Sequence, residues 1–183
     1  MSLRIIAGEW RGRKLAMPAG DATRPTADRT RETLFSMLNS RLGSFEGLAI
    51  ADLFAGSGAL GLEALSRGAA TCLFVEQDAA AVRMIRKNIE DLQAQGRCDV
   101  RASSALTLGV AKAPLDVLLL DPPYGSGAGV VALEKLTRLG WISPASWISL
   151  ETAASETPEL RNFVIDDTRK VGKARITLAR LSA

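Results

Sequence analysis

Asp121, Pro122, Pro123 and Tyr124 form the stretch of this sequence best equipped for chemistry. They follow an apolar run over residues 115–120, broken only by Asp116, with the composition of a buried strand. Two adjacent prolines offer no backbone N–H, so a sheet ladder stops there. Proline also holds the preceding backbone extended. A carboxylate, a fixed row of carbonyls and an aromatic face therefore share one rigid loop. That set suits a planar base bearing an amino group. The ring stacks on the base, while the carboxylate and a carbonyl accept its N–H hydrogens. A strand-ending turn with a surface tyrosine would read the same in isolation, so a second motif has to decide.

The second motif is Asp52-Leu53-Phe54-Ala55-Gly56-Ser57-Gly58-Ala59-Leu60-Gly61. Glycines at 56 and 58 let the backbone turn sharply and let a ligand approach. An apolar strand before the turn and a helix after it make a nucleotide-type pocket. Glu76 ends the next strand, where a carboxylate accepts both hydroxyls of a ribose. Gly56, Gly58 and Gly61 also spell the dinucleotide signature, so a nicotinamide dehydrogenase is the rival. Asp52 argues against it, because a second acid would lie near a pyrophosphate. The chain has no histidine, and Tyr124 is its only tyrosine, which leaves no Tyr-Lys pair for hydride chemistry. S-adenosylmethionine, with a ribose, an adenine and a methionine ammonium, would use both acids.

The elements that must position these residues follow from the pattern. Residues 3–7 read as a short strand and 9–15 as a turn and returning strand, a basic hairpin containing Trp10. Residues 16–27 read as loop. A helix is expected from about residue 28, capped by Thr26 or Asp28, with Leu34, Leu38 and Leu42 on its apolar face. Strands are expected at 48–53, 71–75, 99–102, 115–121 and 147–151, and a terminal antiparallel pair at 163–167 and 175–181. Helices are expected at 59–67, from Asp78 to a stop at Gly96, weakly from Ser103, and around Val130, Leu133, Leu136 and Leu139. The result is an α/β, doubly wound, Rossmann-like architecture. The expected division is a hairpin extension at 1–22 and a body at 23–183.

Composition narrows the class. The chain has 183 residues, 47% hydrophobic and 23% charged, about one globular domain. No apolar run is long enough for a bilayer, and no signal-peptide core opens the sequence. Cys72 and Cys98 read as reduced, packed thiols, and a cytoplasmic location is expected. The absence of histidine removes Ser-His and Cys-His nucleophile pairs, and no metal site is expected. Net charge is +3, but residues 1–41 carry eight Lys/Arg against four acids. A basic arm on a neutral body points to a polyanionic partner. Arg4, Arg11, Arg13, Lys14 and Arg29 are candidate phosphate contacts, and Trp10 reads equally as a stacking platform beside them or as a lid over its own hairpin.

Asp52 to Gly58 followed by Asp121 to Tyr124 resembles the pairing in class I S-adenosylmethionine methyltransferases that act on exocyclic amines. Arg4-Ile5-Ile6-Ala7-Gly8, Arg11-Gly12-Arg13, Arg24-Pro25-Thr26, Arg29, Arg31 to Phe35 and Gly58 to Gly68 extend the likeness. Together they resemble the RsmD-type family of bacterial 16S ribosomal RNA guanine-N2 methyltransferases, from the first residues to Gly172-Lys173. The resemblance implies a seven-stranded, mostly parallel sheet ending in an antiparallel hairpin. It implies methylation of the 2-amino group of one guanine, position 966 in the usual numbering, on ribosomal RNA or a small-subunit particle. It implies S-adenosylmethionine bound by Asp52, Gly56, Gly58 and Glu76, with Ala55, Ser57 and Ser104 as lesser contacts. Arg24, Pro25 and Thr26 resemble the segment closing over the methionine end. Asp121 and the Pro122 carbonyl would hold the guanine amine, with Pro123 stiffening the loop and Tyr124 stacking. Ser104 stands where many class I enzymes carry an acid for adenine, which leaves backbone groups for that task. A monomer is the default expectation. The alternatives are a DNA adenine-N6 methyltransferase, for which the chain is short, and a non-catalytic RNA-binding assembly factor.

Overall fold

Apolar runs long enough to be covered on both faces pair here into one seven-stranded sheet. The computed structural model describes residues 2–18 and 25–183, with backbone alone for residues 25 and 26. In chain order the elements are α1 (Pro25–Leu42), β1 (Ala49–Leu53), α2 (Ala59–Ser66), β2 (Thr71–Glu76), α3 (Ala79–Asp91) and β3 (Cys98–Ala102). They continue with β4 (Val117–Leu120), α4 (Ala128–Arg138), β5 (Trp147–Ala153), β6 (Phe163–Val171) and β7 (Ala174–Leu181). The strand order is β3-β2-β1-β4-β5-β7-β6. The first five strands run parallel, and β7 runs antiparallel to both β5 and β6.

Two cores sandwich the sheet. On one face Phe35, Leu38, Leu62, Leu65, Phe74, Ile85 and Leu119 pack α1, α2 and α3 against the strands. On the other, Leu53, Val75, Leu118, Leu120, Leu133 and Leu136 pack α4 against them. Each fully buried side chain of this kind contributes roughly 1.5–3 kcal/mol. Gly61 in α2 is fixed by this packing. A Cβ there would lie 2.4 Å from the Phe74 ring and 2.6 Å from the Cys72 sulfur.

Several boundaries differ from the sequence expectation. α1 begins at Pro25 rather than near residue 28, with Asp28 inside its first turn. Proline fits the first turn of a helix because its missing N–H has no partner to lose. α3 stops at Asp91 with Leu92 as its cap, and Gln93 takes the left-handed conformation (φ 56°) that Gly96 was expected to supply. The weak helix near Ser103 is one 3-10 turn, Ala105–Thr107, capped by the Ser104 hydroxyl accepting from the Leu106 N–H. β6 runs on to Val171 through Asp166, Asp167, Arg169 and Lys170. A sheet-edge strand tolerates such charges, and Arg41 of α1 pairs with both aspartates, at 2.9 and 3.2 Å.

The basic hairpin forms through one bridge, Arg4 to Lys14, and backbone bonds such as Ile5 N–H to Arg13 O (3.0 Å). It is latched onto α2. The Glu63 carboxylate is fully buried and accepts from the Ile6 and Ala7 N–H groups at 2.8 and 3.0 Å. It also pairs with Arg67 at 2.9 Å. Ser66 donates to Ala7 O and accepts from Trp10 N–H. Leu3, Ile5, Trp10 and Leu15 join the core of the body. Glu63→Ala should therefore destabilise the protein by about 3 kcal/mol, since two backbone donors and a partly exposed cation lose their fully buried acceptor together. Urea unfolding checks this; a loss below about 0.5 kcal/mol, the size of a surface change, would show that the latch carries no weight.

Candidate active site

The register of the parallel strands brings four acids to one end of the sheet. Leu53 pairs with Val75 on one side and Leu120 on the other, and Leu120 pairs with Leu150. The chain turns outward from β1 in both directions, so the β1–β4 boundary is the topological switch point where ligands enter such folds. A cavity of about 710 Å³ opens there, walled by Phe54, Glu76, Ser104, Asp121, Tyr124 and Glu151 among others.

The glycine-rich turn lies beside it. Phe54, Gly56 and Gly58 all have positive φ (61°, 57° and 81°), so the chain reverses within a few residues before α2. Glu76 ties this turn to β2, its Oε2 accepting from Gly56 N–H and its Oε1 from Asp78 N–H, both at 2.8 Å. Asp78 in turn caps α3 by accepting from Ala81 N–H. Asn88, wholly buried, donates to Ser57 O and to Ala16 O and accepts from Ala16 N–H. One side chain thus joins the turn to the exit of the basic hairpin.

Asp52 lies beneath the turn, at 1% exposure, and its Oδ2 accepts from Gly61 N–H at 2.8 Å. Its Oδ1 is buried and finds no partner among the described residues. Burial pushes this carboxyl well above the usual carboxylate range, with the charges of Asp121 and Glu76 adding to the effect. Asp52 is absent from the cavity wall, as are Ala55, Gly56, Ser57 and Gly58. Their visible task is to shape the turn. The unsatisfied Asp52 oxygen under a glycine-rich turn, with Glu76 facing the cavity, fits a ligand that brings both hydroxyls and a cation.

At the other wall, Asp121 follows β4 directly. The Pro122–Pro123 segment is braced from behind by Gly129 of α4, where a Cβ would meet Leu150 at 2.5 Å and Pro122 at 3.0 Å. Tyr124 is half exposed, and its hydroxyl donates to Glu151 Oε1 at 2.7 Å, which fixes its ring at the cavity mouth. Asp121 is exposed at the open cavity, but protein packed around its carboxyl partly desolvates it, and the Glu151 charge faces it. Together these raise its pKa to about 7. Burial likewise raises Glu151, with the Tyr124 hydrogen bond opposing. Burial and the bond to Glu151 raise Tyr124, so it stays a neutral phenol.

Asp121, Pro122, Pro123, Tyr124, Glu76 and Ser104 thus line one cavity, with Asp52 and residues 55–58 beside it rather than in its wall. Arg24 lies outside the described residues, as do the side chains of Pro25 and Thr26. Ser104 lines the cavity, but its hydroxyl is engaged in capping. Arg4, Arg11, Arg13, Lys14 and Arg29 are exposed. Arg4 donates to Gly12 O and Arg13 to Asp91 O. Trp10 must be corrected. It is 7% exposed, with the Arg97 guanidinium 5.3 Å above its ring, so it is a core residue and offers no face to a base. Sequence reading also passed over Glu151. The signal was present, an acid at the end of an apolar strand, the same signal that singled out Asp121. Among the described residues no cluster of acidic, cysteine or histidine side chains could hold a metal, and no helix is long and apolar enough to cross a membrane.

A protein-family model, described as Conserved hypothetical protein 95, matches residues 3–180. The chain belongs to that family. The ribosomal RNA small subunit methyltransferase D of Escherichia coli K12 is 39% identical over 82% of this chain and 74% of its own length. The Haemophilus influenzae protein of the same name is 38% identical over 95% of this chain and 92% of its own. Among solved structures, the putative methyltransferase yhhF from Escherichia coli superposes with a TM-score of 0.86 at 36% identity, covering 100% of this chain and 99% of that one. The family fold is the Rossmann-like methyltransferase fold described above.

If Asp121 must be ionised to accept hydrogen bonds from an amine, single-turnover methyl transfer at saturating cofactor should rise through a midpoint near pH 7. Glu151→Gln removes the facing negative charge and should move that midpoint to lower pH. A profile flat from about pH 5.5 to 8.5 would show that Asp121 does not titrate in the reaction.

Proposed function

We propose that this protein transfers a methyl group from S-adenosylmethionine to the exocyclic N2 amine of a guanine in small-subunit ribosomal RNA. Kinship to the methyltransferases above makes it an S-adenosylmethionine-dependent ribosomal RNA methyltransferase. The observation that carries the finer reading is the convergence of Asp121, Pro122 and Tyr124 on the cavity that Glu76 also faces.

The chemistry asked of the chain is mainly positioning. Glu76 would hold the ribose, and Phe54, Ser103, Ser104 and Leu106 surround the space for adenine. When bound, the cofactor supplies an electrophilic methyl group on a sulfonium. The Asp121 carboxylate and the Pro122 carbonyl accept the two amine hydrogens. Amine nitrogen is a weak nucleophile because its lone pair is delocalised into the ring. Two acceptors aimed at its hydrogens favour the localised form and orient it, and they stabilise the positive charge that builds on nitrogen. The surplus amine proton then passes to Asp121, whose raised pKa suits it to receive one near neutrality. Tyr124 stacks on the base after it leaves its helix or loop. The hairpin at 1–22 serves as the arm on the phosphate backbone, through Arg4, Arg11, Arg13 and Lys14, with Arg29 beside it. The body at 23–183 carries out the transfer, as a monomer acting in the cytoplasm.

Radiolabelled methyl transfer tests this reading, with protein-free ribosomal RNA, small-subunit particles and double-stranded DNA as substrates and digestion to nucleosides. Label should appear in N2-methylguanosine. Label in N6-methyladenine would move the protein to another class of amine methyltransferase. Asp121→Ala should lower the rate by roughly 100- to 1,000-fold, the scale of removing one transition-state acceptor or donor, while cofactor binding by calorimetry stays largely intact.

A further inference from the structure

Glu151 is the one acid in the target-side wall that the mechanism above leaves unused. Its position follows from the β4–β5 register. Leu120 lies opposite Leu150, so Asp121 and Glu151 are the next residues on neighbouring parallel strands and line the same cavity. One Glu151 oxygen takes the Tyr124 hydroxyl at 2.7 Å. The described residues bring no side-chain donor to its other oxygen. Among the described residues the cavity wall contains no lysine or arginine to neutralise either acid. The target side of the cavity is thus a row of acceptors: Asp121, the Pro122 carbonyl and Glu151.

A row of acceptors selects by what it cannot pair. Guanine presents its 2-amino group and, on the adjacent ring atom, the N1–H, a continuous edge of donors. Adenine and cytosine also carry an amine, but the adjacent ring nitrogen of each is an acceptor. With the amine held by Asp121 and Pro122, that ring nitrogen would face a carboxylate, lone pair against lone pair. Guanine there would satisfy an acceptor that is otherwise unpaired.

Resting on the guanine-N2 reading, we propose that Glu151 accepts the guanine N1–H and is the residue that makes the pocket select guanine over other amine-bearing bases. Its bond to Tyr124 couples the two tasks, because the side chain that reads the edge also fixes the ring that stacks on the face. Asp121 drives transfer to an amine, and Glu151 decides whose amine it is.

The test uses ribosomal RNA assembled into small-subunit particles, with the methylated guanine either kept or replaced by 2-aminopurine. That analogue retains the 2-amino group but turns N1 into an acceptor. Wild-type kcat/KM should favour guanine by at least about 100-fold, as expected when a site built for a hydrogen bond meets a base that lacks the donor. In Glu151→Gln the amide can donate to N1 of 2-aminopurine or accept from guanine, and the preference should fall below about tenfold, a single-hydrogen-bond difference. Tyr124→Phe keeps the ring and loses the phenol bond, so both substrates should slow together with the preference retained. Equal loss on both substrates in Glu151→Gln, with the wild-type ratio intact, would reduce Glu151 to a support for Tyr124 and overturn the proposal. Should that variant fail to fold, a wild-type ratio near one overturns it as well. Wild-type label in a base other than guanine would instead overturn the guanine reading itself, which the nucleoside digest reports separately.

Discussion

Everything in this structure answers to the crowding of carboxylates at the ends of adjacent parallel strands. Asp52, Glu76, Asp121 and Glu151 lie at or beside the carboxyl ends of β1, β2, β4 and β5. Like charges placed together away from water oppose one another's ionisation. The fold offsets this with fixed donors. Glu76 takes two backbone N–H groups, Asp52 takes Gly61 N–H, and Glu151 takes the Tyr124 hydroxyl. Among the described residues no side chain donates to Asp121. The acid closest to the proposed chemistry is thus left open to the cavity rather than tied to a protein side chain.

The remaining architecture ties this cleft to the basic hairpin. Glu63 and Ser66 fasten the basic hairpin to α2, and α2 begins at the glycine-rich turn. Asn88 bonds to that turn and to Ala16 at the hairpin's exit. The exposed arginines of the hairpin, proposed to meet an RNA backbone, are thereby held in fixed relation to the cavity. Gly129 performs the matching task on the target side, since its missing side chain lets α4 press directly on Pro122.

How much of this was legible in the sequence depended on how local the signal was. The glycine-rich turn, Glu76 and the Asp121–Tyr124 loop announce themselves through backbone chemistry, which neighbours in sequence decide. The parallel core strands read clearly because they are apolar throughout. Trp10 misled because an aromatic among arginines looks the same whether it faces RNA or, as here, lies under Arg97, which is far away in sequence. Glu151 was passed over because an acid at a strand end acquires meaning only from the strand beside it, and the β4–β5 pairing is a tertiary fact. The second half of β6 read as loop because charges that would break a buried strand are harmless at a sheet edge. Asp52 was legible as important, but its turn away from the cavity toward Gly61 was not.

The most direct test of carboxylate crowding is a ¹³C carboxyl titration of Asp121 by NMR, in the wild-type protein and in Glu151→Gln. The Asp121 midpoint should lie near 7 in the wild type and fall, while staying above the ordinary aspartate value, once the Glu151 charge is gone, because desolvation, the larger cause, remains. A wild-type midpoint close to about 4, as in a free aspartate, would mean that solvent and unseen donors already satisfy the group. Asp121 would then be an ordinary surface acid, and the strand-end register would not set the chemistry of this site.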